Sequence, residues 1–209
     1  RIERFMSLAA EDNIQIANPT TAAQFFHLLR RQMHREVRKP LIVFTPKSGI
    51  RAKNYRSPVS DFTAGTFREL IGDASPIDPN SVTRLVLASG KVGHEAAARR
   101  DALGANAAVA RVEQLFPWPY AAIKEELARY PNCTEIVWLQ EEPENMGPWN
   151  GIKGRLFEAH GNQYEIRRIS RSEGGSPATG KAAIHAQEQH EILDKAFAPL
   201  AQRELSQFH

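Results

Sequence analysis

From residue 82 onward, strand-length apolar runs alternate with helical patterns. "VTRLVLAS", "NAAVARVEQ", "TEIVWLQEEP" and "YEIRRIS" read as strands. "HEAAARRDAL", "PYAAIKEELARYP" and "WNGIKGRLFEAHG" fall between them as helices, with Pro119 near the start of the second. After the loop "RSEGGSPATGK" comes a last helix, "AAIHAQEQHEILDKAFAPL". Strand and helix in strict alternation restrict the chain to an α/β open sheet of mostly parallel strands, with helices on both faces. The first residues obey the same rule. A helix end over 1–11 leads to the strand "IQIANP", then to the helix "AAQFFHLLRRQMHREV", then to "LIVFT" at 41–45. Thr20 or Thr21 caps that helix, and Phe25, Leu28, Leu29 and Met33 share one of its faces. "LIVFT" is apolar throughout, as expected of a strand covered on both sides.

Between these blocks the composition changes. Residues 46–80 are rich in Gly, Pro, Ser and Asp and flank an expected short helix, "TAGTFRELI". Residues 46–80 therefore read as a linker between two domains. The linker region carries Ile50, Tyr55, Val59, Phe62, Phe67 and Leu70, too many apolar residues for a solvated tether.

Bulk properties remove several function classes. The formal charge of +3 is spread along a chain in which Lys and Arg are interleaved with Asp and Glu, so no nucleic-acid partner is expected. No apolar run approaches the roughly 18 residues of a membrane span. Cys133 is the single cysteine, which excludes an internal disulfide and fits a reducing compartment. The chain opens without Met inside an amphipathic pattern formed by Ile2, Phe5, Met6 and Leu8, and is expected to be a piece of a longer protein.

Few motifs carry chemistry. "ASGKV" and "ATGKA" contain Gly-Lys but lack the upstream Gly and the following Ser or Thr of a nucleotide-binding P-loop. Gly90 then serves a turn and Lys91 is a solvated charge. His185 and His190 fall on different helix faces, and His27 and His34 lack a third ligand nearby, so no metal site is assigned. Cys133 reads as a loop cysteine. "QEEP" places Glu141 and Glu142 at the C-terminal end of a strand, where open sheets bind ligands. Adjacent strand residues point to opposite faces, so they make a poor acid/base pair, and one of them reads as a charge partner at an interface. Trp149 is the expected aromatic anchor of that surface. "LIVFTPKSGIR" delivers Lys47, Ser48 and Arg51 to one turn and raises the question of an anion site.

Several stretches together, in order along the chain, carry a resemblance: "RIERFMSLAAEDN", "NPTTAAQFFHLLRRQ", "RKPLIVFTPKS", "SGKV", "ARVEQLFPWP", "VWLQEEPENMGPW" and "IHAQEQHEILDKAF". The chain resembles the C-terminal end of the thiamine-diphosphate-dependent, decarboxylating component of 2-oxoglutarate dehydrogenase. The resemblance implies a transketolase-like fold, with residues 1–57 ending a pyrimidine-binding domain and 81–209 forming the C-terminal domain. It implies oxidative decarboxylation of 2-oxoglutarate and succinyl transfer to a lipoyl carrier in the tricarboxylic acid cycle. The cofactors it implies are thiamine diphosphate and Mg, with their ligands and the catalytic residues upstream of Arg1, so no catalytic, cofactor-binding or metal-binding residue is assigned here. Implied partners are a second copy, the lipoyl succinyltransferase component and dihydrolipoyl dehydrogenase. The implied location is the cytoplasm in a bacterium or the mitochondrial matrix in a eukaryote. Two readings compete: a related 2-oxoadipate enzyme, and a stand-alone module that binds an anion or a partner.

The resemblance also bears on regulation, since some bacterial members bind acetyl-CoA between these domains. Arg31 and Gln114 match members of that site. A basic pair of the site is Ala121-Ala122 here, and its Thr, Lys and Ser positions are Gln15, Thr66 and Glu69. The departures imply that acetyl-CoA does not activate. Lys47 and Arg51 are then expected to hold the join between domains by pairing with carboxylates.

Overall fold

The computed structural model describes residues 1–198. Its helices are α1 (Ile2–Leu8), α2 (Ala22–His34), α3 (Val59–Thr63), α4 (Lys91–Leu103), α5 (Tyr120–Ala128), α6 (Trp149–His160) and α7 (Ala182–Phe197). Its strands are β1 (Gln15–Ala17), β2 (Leu41–Val43), β3 (Leu70–Ile71), β4 (Arg84–Ala88), β5 (Ala107–Val112), β6 (Gln114–Phe116), β7 (Glu135–Pro143) and β8 (Glu165–Arg171).

The strands form a five-stranded sheet, β3-β5-β4-β7-β8, and a three-stranded sheet, β2-β1-β6. Four strands of the large sheet, β5, β4, β7 and β8, are mutually parallel, in register through Val109, Val86, Val137 and Arg167. Period-two alternation sorts their side chains onto two faces. Leu85, Leu87, Ala108, Ala110, Ile136 and Trp138 pack with Ile123 and Leu127 of α5 and Ile152 and Leu156 of α6. Val86, Ala88, Val109, Val137 and Leu139 pack with Val92 and Ala96 of α4 and Ile192 and Ala196 of α7. Helices thus cover both faces, which is why β4 is apolar at every position but its first. The edge strand β8 is only half-buried and carries Arg167, Arg168 and Arg171, charges that blunt an edge.

Two expectations fail, each for a backbone reason. "TAGTFRELI" is not a helix: α3 ends at Thr63, and Gly65 sits at φ +117, outside helical space. Leu70 and Ile71 instead pair antiparallel with Val112 and Arg111 of β5, whose open edge satisfies their main chain. "NAAVARVEQ" is not one strand either. It breaks at Glu113, and Gln114 and Phe116 continue as β6, antiparallel to Ala17 and Ile16 of β1 in the other sheet. The peptide from Phe116 to Pro117 is cis.

The stretch around β3 is pinned by buried polar groups. Asp73 accepts hydrogen bonds from the backbone of Val109 (2.7 Å) and Ser75 (2.8 Å) and pairs with Arg100 of α4. Burial raises the Asp73 carboxyl pKa, but these bonds and the Arg100 charge outweigh it and hold the group below its ordinary value. The Asp73 N–H donates to Glu126 (3.0 Å), which also accepts from Tyr130 and Arg129. Among the described residues no helix is long and apolar enough to cross a membrane.

Candidate functional site

α2 brings Arg31 to the join of the two sheets. Thr21 caps the helix by accepting from the Gln24 N–H, as the hydroxyl pair before it suggests. One turn further, the Gln24 amide donates to Arg68 O (2.6 Å) and accepts from Arg68 N (3.1 Å), clamping the chain ahead of β3. Arg31 then donates to Gln114 Oε1 (2.6 Å) and Gln15 Oε1 (3.2 Å) and lies 3.6 Å from the Glu69 carboxylate. Its guanidinium stacks 4.3 Å over the Phe67 ring. Gln114 is held in turn, donating to Glu69 (3.0 Å) and to Pro117 O (2.9 Å). Burial, then the nearby Arg35, push the Arg31 pKa down to about 10, while Glu69 opposes them. Beside it lies a cleft of about 330 Å³ lined by His27, Arg30, Arg31, His34, Thr66 and Phe67.

The structure thus unites Arg31, Gln114, Gln15 and Glu69, residues that sequence separates by up to 99 positions. Two amide oxygens and one carboxylate of the chain itself engage the terminal nitrogens of the arginine, while its buried Nε has no hydrogen-bond partner among the described residues. Ala122 lines a neighbouring cleft with Glu69, Glu125, Glu126, Arg68 and Arg129, in which Arg129 pairs with Glu126.

Lys47 and Arg51 go elsewhere. Both are exposed in the turns after β2, and neither forms an ion pair among the described residues. The carboxylate pairing expected of them is therefore replaced by Arg31–Glu69 and Asp73–Arg100. The turn does not gather donors into an anion pocket. Gly49 packs on the Tyr55 ring, and the adjoining groove of about 470 Å³ is largely apolar, lined by Pro19, Ala22, Phe25, Pro46, Ile50 and Ala52 among others.

Around the "QEEP" strand end, Lys91 and Trp149 depart from their sequence readings. Lys91 is not a solvated charge; its ammonium lies 2.6 Å from Glu141 and 3.0 Å from Glu95. Burial lowers the Lys91 pKa, yet those two carboxylates raise it further, for a net rise. Trp149 is no interface anchor. It is 9% exposed, packs edge-on to Phe157 and donates its backbone N–H to Gln140. Glu142 is pushed up to about 7, first by burial and then by Glu141. Cys133 is buried, which drives its thiol pKa up.

One constellation escaped sequence reading. Glu113, with no exposed surface, accepts from Thr20 N (2.8 Å), from the Thr20 hydroxyl and from Gln24 Nε2 (3.5 Å). Arg111 Nε lies 4.0 Å from the carboxylate and donates to Thr20 Oγ1 (2.9 Å). His94 of α4 donates through Nε2 to Thr20 O (2.9 Å). A glutamate inside the apolar run "AVARVEQLF" was the available signal.

Among the described residues no three His, Cys, Asp or Glu side chains converge to hold a metal ion. The described residues therefore lack a carboxylate or histidine cluster to hold Mg.

This architecture defines an α/β protein of the transketolase-like class. A solved split-gene transketolase, described as an inactive beta4 tetramer, superposes with a TM-score of 0.60 at 19% identity, over 94% of this chain and 61% of that one. The family described as "2-oxoglutarate dehydrogenase C-terminal" matches residues 56–197, and the transketolase pyrimidine-binding domain matches 1–53. The chain belongs to the 2-oxoglutarate dehydrogenase C-terminal family. The 2-oxoglutarate dehydrogenase E1 component of Cupriavidus necator is 44% identical over 96% of the chain. That of Azotobacter vinelandii is 41% identical over 94%, and the E1/E2 component of Corynebacterium glutamicum is 42% identical over 94%. The chain spans about a fifth of the E1 relatives' length, 21% of the Cupriavidus protein.

Proposed function

We propose that the chain is the C-terminal part of the thiamine-diphosphate-dependent component of 2-oxoglutarate dehydrogenase. The parent would decarboxylate 2-oxoglutarate oxidatively and pass the succinyl group to a lipoyl carrier in the tricarboxylic acid cycle. The observation that carries this reading is the 44% identity to a named E1 component over 96% of the chain. Thiamine diphosphate and Mg would be held by residues of the parent outside this chain. The partners would be a second copy, the lipoyl succinyltransferase component and dihydrolipoyl dehydrogenase, in a bacterial cytoplasm or a mitochondrial matrix. The division at 57 and 81 into pyrimidine-binding end, join and C-terminal domain belongs to the same proposal.

Helix α2 supports the structural role. It buries Ala23, Gln24, His27 and Leu28 and exposes Phe25, Phe26, Leu29 and Met33, the last at 64%. An exposed apolar face of this kind calls for cover, and the homodimer would supply it. Decarboxylation assays on the full-length parent with 2-oxoglutarate and with 2-oxoadipate test the activity, and a preference for 2-oxoadipate would overturn the substrate. Titration of this chain with thiamine diphosphate and Mg is expected to give no binding heat. Micromolar binding would overturn the division of labour.

A further inference from the structure

Thr20 has every polar atom engaged. Its N–H and hydroxyl go to Glu113, its carbonyl accepts from His94, and its hydroxyl oxygen also accepts from Arg111. Thr20 lies in the loop after β1, in the small sheet. Arg111 belongs to β5, His94 belongs to α4, and both are parts of the large sheet's layer. Glu113 is the residue at which the chain leaves one sheet for the other. Its own backbone adds to the tie: Asn18 N donates to Glu113 O (2.8 Å), and Glu113 N donates to Glu69 O (2.9 Å).

We propose that the Thr20–Glu113–His94 cluster is a proton-sensitive tie between the two sheets, tightest when Glu113 is protonated and His94 is neutral.

The groups around it give the sign. Burial raises Glu113 to about 7, and the bonds from Thr20, the charge of Arg111 and the amide of Gln24 offset it only in part. A carboxyl whose closed-state pKa lies above its free value binds protons on closing, so the tie gains strength as pH falls from 7 toward 4.5. His94 has the opposite sign. Burial lowers its pKa first, and Arg111 adds to this, against the Thr20 carbonyl and Glu95. Its share is present above its free value and is lost on acidification. The remaining charged or titratable neighbours do not cancel these effects. Arg68 acts on Arg111, and Tyr55 stacks on the His94 ring at 4.9 Å, its phenol pushed up to about 12 and silent at neutral pH. Glu69 is engaged by Arg31 and Gln114.

Amide hydrogen exchange on the full-length parent, read by mass spectrometry over peptides covering 18–28 and 108–118, is the test. After correction for intrinsic exchange chemistry, protection is expected to fall as pH rises from 6 to 7, by less than about tenfold per pH unit because the share of His94 grows over the same range. Glu113→Gln should flatten that limb while leaving the acid limb of His94. Identical pH profiles for the parent and Glu113→Gln would overturn the proposal. Should that variant not fold, Arg111→Gln serves: removing the cation should move the limb to higher pH, and an unmoved limb overturns the proposal equally.

Discussion

Asp73 and Arg100 form an ion pair across the join, with side-chain exposures of 4% and 6%. One lies just after β3 and the other on α4, 27 residues apart in sequence. Breaking a buried pair from one side strands the other charge. Asp73→Ala is therefore expected to cost about 3–5 kcal/mol, and Asp73→Ala with Arg100→Met distinctly less. Urea denaturation of the parent and both variants checks this. Equal losses for the single and double variants would show that the pair contributes through shape alone.

Glycine positions separate by what a side chain would meet. A Cβ on Gly72 would collide with the Glu126 carboxylate, itself held by Asp73, Arg129 and Tyr130. Gly72→Ala should destabilise by about 1–3 kcal/mol. Gly154, inside α6, meets nothing within 4 Å, so Gly154→Ala should stabilise by about 0.5–1 kcal/mol in a protein whose α6 surface stays uncovered. Thermal melts of the two variants should move in opposite directions.

Asp73 and Glu142 predict opposite pH limbs. The Asp73 pKa is lowered on folding, so its contribution is present above 3.8 and is lost as pH falls through the folded value. The Glu142 pKa is raised to about 7, so its contribution is full below 4.5 and is lost by pH 7. Asp73→Asn should shallow the acid limb of a stability-versus-pH curve, and Glu142→Gln should shallow the limb between 4.5 and 7. A curve unchanged by Glu142→Gln would count against its burial as a charge.

Acetyl-CoA is expected not to activate the full-length parent. Glu69 already faces Arg31, and Ala121 and Ala122 offer no charge. Charge-assisted contacts are worth about 1.5–3 kcal/mol each, so losing two weakens binding by roughly two to four powers of ten. Steady-state rates with and without acetyl-CoA decide the matter. Activation that disappears in Arg31→Ala would show the site to be functional.

Most of the large sheet was legible because β4, β5 and β7 are buried on both sides and read as apolar runs of strand length between helical stretches. What escaped depends on pairing at a distance. β3 is two residues long and exists because β5 has an open edge. β6 is indistinguishable from an extension of β5 until its partner, β1, is known. Among candidate residues, Arg31 donates to Gln114 at 2.6 Å. Lys47 and Arg51, argued from proximity in sequence, stay in solvent. Thr20 gave no sign of its role, because a threonine beside a helix start is ordinarily a cap, and here Thr21 is the cap.

The crossing of β6 from one sheet to the other also sets a timetable. Residues 114–116 close the small sheet against β1, nearly a hundred positions earlier. During synthesis, β1 and β2 can pair as soon as both emerge, but the third strand comes only after β4, α4 and β5 have followed. Until then the free flank of β1 stays unpaired, open to wrong strands. A nascent chain whose β2 has emerged and whose β6 has not would therefore carry an open sheet edge, and chaperone capture should be greatest in that window.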